Sequence, residues 1–180
     1  EKDASPLAWI AFHRWYDRQF QTLQSRLYRG IKQVDPQRRV MGHDFFFLRC
    51  VPCWDYAEMG KYVDACMLDP YHQRIASEAP QRALYHAGFS TKLVADLTGK
   101  PTLPIPGFME YWRYTPTPEK CLELAEQVLR TGAAGLTYYL VDWGNYRYIR
   151  YPAEAPGRWD VLMRLTDVLH EMPRIVFPPT

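Results

Sequence analysis

No run of this sequence approaches the roughly 20 apolar residues of a membrane-spanning helix, which points to a soluble chain with no membrane partner. Charge of one sign is equally scarce. The formal net charge is +2, and Lys and Arg are scattered along the chain, which argues against a nucleic-acid partner. There is no initiating Met and no signal-peptide pattern, so a chain beginning at Glu1 reads as processed or partial, and its compartment is unreadable. Cysteine is sparse, at positions 50, 53, 66 and 121. Cys50-Val-Pro-Cys53 has the C-x-x-C spacing of redox and zinc sites. Neither a second C-x-x-C nor an H-x-x-x-H accompanies it, so a closed zinc site would need distant ligands. Small, half-buried loop cysteines are the leading reading, and a local disulfide is the alternative. No cofactor is expected.

What is present excludes disorder: hydrophobic residues make up 47% of the chain and aromatics 15%. With 180 residues, one domain with a sizeable core is within reach. Ser5-Pro6 is a helix start, a hydroxyl cap followed by proline at N1. Trp9, Phe12, Tyr16, Phe20, Leu23, Leu27, Ile31 and Val34 recur at steps of three or four and define a long amphipathic helix, which Asp35-Pro36 ends. Arg39 to Phe47 reads as a strand, Trp54 to Met59 as a short helix, and Val63 to Leu68 as a strand covered on both faces. A helix from about Pro80 carries Tyr85, Phe89, Leu93 and Leu97 at steps of four, and Gly99 stops it.

The stretch from Gly99 to Trp143 then reads as strand, loop, capped helix, turn and strand. Thr117-Pro118-Glu119 opens the helix, Leu122, Ala125, Val128 and Leu129 give it an apolar stripe, and Gly132 closes it. A last helix carries Trp159, Leu162, Leu165 and Leu169. The order is therefore a helix followed by four strand-helix units, an α/β pattern that implies a parallel sheet with right-handed crossovers. Two architectures fit it. One is an open doubly wound sheet. The other is part of a (β/α)8 barrel, which typically needs about 250 residues, so that four units supply half of one.

Several motifs resemble the middle of glycoside hydrolase barrels of the clan-A type, related to beta-galactosidase catalytic domains. They are I-K-x-x-D-P at 31–36, V-D-x-x-x-x-D-P-Y at 63–71, G-K-P at 99–101, and T-P-E leading to G-A-x-G-L-x-Y-Y at 117–139. The resemblance implies that residues 1–180 are a single partial domain, the C-terminal half of a TIM barrel with strands five to eight and their helices. It also implies a carbohydrate substrate, hydrolysis of O-glycosidic bonds by carboxylate acid/base chemistry, and a partner in the missing N-terminal half-barrel or a second copy. The family uses an acid/base glutamate after strand four and a nucleophilic glutamate after strand seven. Retaining enzymes hold the two carboxyl groups about 5–5.5 Å apart. Carried onto this chain, the nucleophile falls near Pro106, which has no carboxylate. Glu110 is the nearest acid, and Glu1 is the candidate for the strand-four acid.

In a parallel sheet the functional side chains gather at the carboxyl ends of the strands. That places Asp142 at the top of the last strand, as an acid or a ligand of substrate hydroxyls. His43 and Asp44 end the first strand, and Asp69, Tyr71 and His72 follow the second. Tyr111, Trp112 and Trp143 would stack on sugar rings, as would Trp54 and Tyr146, although packing is the plain reading of any single aromatic. Two alternatives stand beside hydrolysis. One is a catalytically silent barrel that binds glycans or supports a larger protein. The other is a metal-dependent hydrolase with ligands from His43, His72 and Asp142.

Overall fold

A computed structural model describes residues 5–44, 55–71, 84–108, 115–139 and 156–172. The first helix, α1 (Pro6–Val34), begins where the sequence says it should: the Ser5 hydroxyl accepts from the Ala8 N–H at 3.2 Å, with Pro6 in the first turn. Asp35 ends it and folds the exit, accepting from the N–H groups of Gln37 and Arg38. Strand β1 (Met41–Asp44) follows, then the short α2 (Tyr56–Met59) capped by Asp55, which runs into a 3-10 turn at Gly60–Tyr62. Strand β2 (Ala65–Leu68), α3 (His86–Thr98), β3 (Thr102–Pro104), α4 (Pro118–Arg130) and α5 (Pro156–Glu171) complete the order. Among the described residues no helix is long and apolar enough to cross a membrane.

The three strands form a parallel sheet in the order β1-β2-β3, with His43 opposite Met67 and Met67 opposite Leu103. The expected fourth strand is present only as a ribbon. Ala134 N–H donates to Thr102 O and Thr137 N–H to Pro104 O, so residues 134–137 run alongside β3 in the same direction. Three residues on one side span two on the other, an offset of the kind that bulges a ladder and stops regular pairing. The sheet is thus a small parallel one inside a mixed α/β fold.

The helices neighbour one another in chain order: α1 lies on α2 and the 3-10 turn, α2 on α3, α3 on α4, and α4 on α5. Two apolar clusters hold them. Met59, Val63, Cys66, Leu68 and Val94 join α2, β2 and α3, while Cys121, Leu124, Ala125, Val128, Val161, Leu162 and Leu165 join α4 and α5 beneath Phe108 and Ala133. The Thr117 cap and the left-handed Gly132 (φ 93°) bound α4 as the sequence predicts, and Gly99 (φ 63°) ends α3.

Three helix faces depart from the sequence reading. On α4 the buried row is Cys121, Leu124, Ala125 and Val128, whereas Leu122 is exposed. On α3 most of the step-of-four row faces outward: Tyr85, Phe89 and Leu97 are exposed, while Leu93 packs against the core, and the buried residues are His86, Ala87, Gly88, Ser90, Thr91 and Val94. Small side chains let α3 approach α4 closely; a Cβ on Gly88 would stand 3.3 Å from Gln127 O. The Ser90 and Thr91 hydroxyls are buried without penalty because they donate to His86 O and Ala87 O within the helix. On α1 no residue is buried, and the apolar row lies outside.

Candidate functional site

Alternation places side chains two apart on one face of a strand, and residues paired across a ladder share a face. Cys66 and Leu68 point into the helix-side cluster. Met67 and its partner His43 therefore belong to the opposite face, and Asp69, two residues past Met67, continues it. The structure brings these residues together: His43 Nε2 lies 2.9 Å from Asp69 Oδ1. Asp69 is 2% exposed, whereas His43 reaches towards solvent. An ionised carboxylate only accepts, so with Asp69 ionised the bond runs from the His43 Nε2–H to Asp69 Oδ1. The Asp69 carboxyl is raised above the ordinary carboxylate value by burial, partly offset by hydrogen bonds and charge from His43 and a hydrogen bond from the Tyr71 side chain.

The chain turns tightly after β2 and again after β3. Tyr71 N–H donates to Asp69 O across Pro70, at 2.7 Å, and Phe108 N–H donates to Pro106 O across Gly107, at 2.8 Å. Both are three-residue turns. The first buries Tyr71, whose ring faces Tyr139 at 6.5 Å between centroids and 32° between planes. The second drives Phe108 into the core against Tyr138, where Arg158 Nη1 of α5 donates to Phe108 O at 3.1 Å. Pro106, the position the family resemblance gives to the nucleophile, is buried in this turn, and residues 105–108 include no carboxylate.

Of the residues chosen from sequence, His43, Asp69 and Tyr71 form one cluster at the carboxyl ends of β1 and β2. Asp44 closes β1 opposite Leu68. Glu1, His72, Glu110, Tyr111, Trp112, Asp142 and Trp143, with Trp54, Tyr146 and the Cys50–Cys53 pair, lie outside the described residues. Cys66 and Cys121 are buried thiols, and burial pushes the Cys121 thiol up to about 12, so it is inert as a nucleophile. Among the described residues no group of three or more His, Cys, Asp or Glu side chains is arranged to hold a metal ion. Tyr139 was missed. Its signal was the Tyr138-Tyr139 pair closing the last ribbon, where one aromatic turns into the core and the next faces the site.

A second polar cluster sits at the opposite end of β2. Asp64 accepts from Lys32 Nζ at 2.9 Å, Val40 N–H at 2.8 Å and Tyr28 Oη at 3.2 Å. Burial raises the Asp64 carboxyl, but these donors outweigh it and hold the group below its ordinary value. Lys32 belongs to the I-K-x-x-D-P motif and Asp64 to V-D-x-x-x-x-D-P-Y. The first carboxylate of the second motif ties α1 to the sheet, and the second one faces the site.

No family model matches the chain, and no curated protein matches it by sequence. Solved structures do resemble it. The beta-galactosidase of the psychrophilic Marinomonas ef1 aligns over 92% of this chain with a TM-score of 0.71 at 13% identity. The polyextremophilic beta-galactosidase of the Antarctic haloarchaeon Halorubrum lacusprofundi aligns over 91%, again with a TM-score of 0.71 at 13% identity. The chain spans 28% and 27% of the lengths of those two proteins. At this identity the likeness is one of fold: the chain has a distant glycoside-hydrolase-like fold.

Proposed function

We propose that these residues are the C-terminal half of a (β/α)8 barrel whose carboxyl-end face handles carbohydrate by carboxylate acid/base chemistry. Two features support the barrel over a doubly wound sheet. The strands neighbour one another in sequence order, without the reversal that a doubly wound sheet requires. The helices also follow one another in a single series, as they do around the outside of a barrel. The observation that carries the function is the cluster at the strand ends. A buried carboxylate, an imidazole fixed by it and two facing tyrosines supply hydrogen-bond partners for hydroxyls and an apolar ring face for a pyranose. In this reading Glu110 is the displaced nucleophile and Asp142 a further acid; His43, Asp44, Asp69, Tyr71 and His72 bind the sugar, with Tyr111, Trp112 and Trp143 around it.

Turnover of aryl glycosides, beta-galactosides first, by the gene product that carries these residues tests the proposal. Glu110→Gln should lower kcat by roughly 10²–10⁴-fold. Neither turnover nor sugar binding in the unaltered protein would refute it. One observation favours the silent, glycan-binding barrel as second reading: the buried Pro106 turn holds no carboxylate where the family resemblance puts one. That reading expects sugar binding that survives Glu110→Gln, with no turnover to lose.

A further inference from the structure

We infer that Arg158, in the first turn of α5, is a positioning residue for the candidate site: it grips the turn that follows β3 and, through Phe108 and Tyr138, sets the ring of Tyr139 opposite Tyr71. The inference rests on the carbohydrate reading above.

An arginine is an unfavourable choice where Arg158 stands. Pro156 begins α5, so Arg158 lies in the opening turn, at the positive end of the helix dipole, which repels a cation. No ion pair with a carboxylate compensates it among the described residues, and the side chain is partly buried rather than fully solvated. What the guanidinium does there is donate: its Nη1 lies 3.1 Å from Phe108 O. The backbone beside it has little room to shift. A Cβ on Gly157 would stand 2.8 Å from Pro118 Cγ, so the first turns of α5 and α4 meet closely at this end.

The acceptor explains the donor. Phe108 is 2% exposed, and its own N–H already donates to Pro106 O. Its carbonyl needs a partner at that depth, because a buried acceptor left without one is destabilising. A charged donor makes the stronger bond. The consequences run from this turn to the site. The Phe108 ring meets the Tyr138 ring at 5.9 Å between centroids and 34° between planes. Thr137 N–H on Pro104 O fixes the ribbon up to that point. Successive side chains of an extended backbone face opposite ways, so holding Tyr138 on the core side turns Tyr139 to the other side, where its ring faces Tyr71. Arg158 thus acts through Phe108 rather than by meeting the sugar. Glu110, the nucleophile in the reading above, follows Phe108 by two residues in the chain, so the same anchor stands at the root of the segment that carries it.

Arg158→Met keeps the apolar stem and removes the donor; made in the full gene product, it tests this beside Arg164→Met, an exposed arginine of the same helix. Turnover of p-nitrophenyl beta-galactoside, or galactose affinity if the barrel is silent, should fall roughly ten- to a hundred-fold in Arg158→Met. In an active product the loss should lie in kcat more than in KM. Backbone amide exchange at 107–108 and 138–139 should quicken in parallel. Arg164→Met should change neither, and Arg158→Lys, which retains a charged donor, should recover most of the loss. A lower Tm with turnover and affinity intact would overturn the inference, because the arginine would then be structural only. Loss of function without quicker exchange at those residues would also overturn it, since Arg158 would then be meeting the sugar directly. Should Arg158→Met not fold, Arg158→Gln decides by the same measurements. A product that neither turns over nor binds sugar refutes the carbohydrate reading, and amide exchange still decides whether Arg158 sets this face. An active product in which Arg158→Met matches the unaltered protein refutes the positioning alone.

Discussion

Asp69 and His86 are both buried titratable groups, and they pull stability in opposite directions with pH. The carboxyl of Asp69 holds its proton more tightly in the fold than in the unfolded chain, so its ionisation costs stability as pH rises above the ordinary carboxylate value. Asp69→Asn should therefore leave Tm at pH 7 unchanged or raised, while weakening sugar binding or turnover at least ten-fold. Thermal melts from pH 4 to 8 beside activity would show it, and a large loss of Tm with function intact would assign Asp69 a purely structural role. Burial lowers the imidazole of His86 to about 4. Between that value and the unfolded value of 6.5 the unfolded chain binds the extra proton, so stability is full above about pH 6.5 and falls towards pH 4. The loss approaches about 3 kcal/mol. His86→Gln should flatten that part of the curve, which urea titrations at several pH values would measure.

Helices were found by their punctuation and three of their faces were misread in part, while Trp159, Leu162 and Leu165 of α5 pack on the core as the sequence predicts. Ser5-Pro6, Asp35-Pro36, Thr117-Pro118, Gly99 and Gly132 mark ends through interactions local to the chain, a hydroxyl on a free N–H or a left-handed residue past the last turn. Such signals survive in sequence because nothing distant decides them. Which face is buried depends on the neighbour. On α3 the neighbour, α4, selects the small face with Gly88, so the larger Tyr85, Phe89 and Leu97 stay outside. On α4 Ala125 and Val128 are buried as the sequence predicts, but Cys121 and Leu124 complete the row in place of Leu122. Leu124→Ala should cost about 2–5 kcal/mol, as a fully buried truncation, and Leu122→Ala under about 1 kcal/mol. Chemical denaturation of the two variants separates the readings; equal losses would restore Leu122 to the core.

At the scale of the molecule, the chain-order sheet and the chain-order series of helices place the candidate site cluster at one end of β2 and a second polar cluster at the other. His43, Asp69, Tyr71 and Tyr139 gather where the strands finish; Lys32, Tyr28 and Asp64 tie α1 down where β2 begins. That division matches the general rule that chemistry sits at the carboxyl ends and stability at the amino ends of such strands.

By itself the sequence determined the α/β alternation, the ends of α1 and α4, the direction of the strands and the placing of His43, Asp44, Asp69 and Tyr71 at the carboxyl ends of β1 and β2. All of these follow from local geometry: period, capping and the length of a crossover. The tertiary structure alone decided that His43 meets Asp69, that Asp64 is a latch rather than a site residue, and that the apolar row of α1 turns away from the sheet. These outcomes depend on register and on which helix lies beside which. A one-residue change in pairing would send His43 to the helix-covered face, and nothing within either strand encodes its partner.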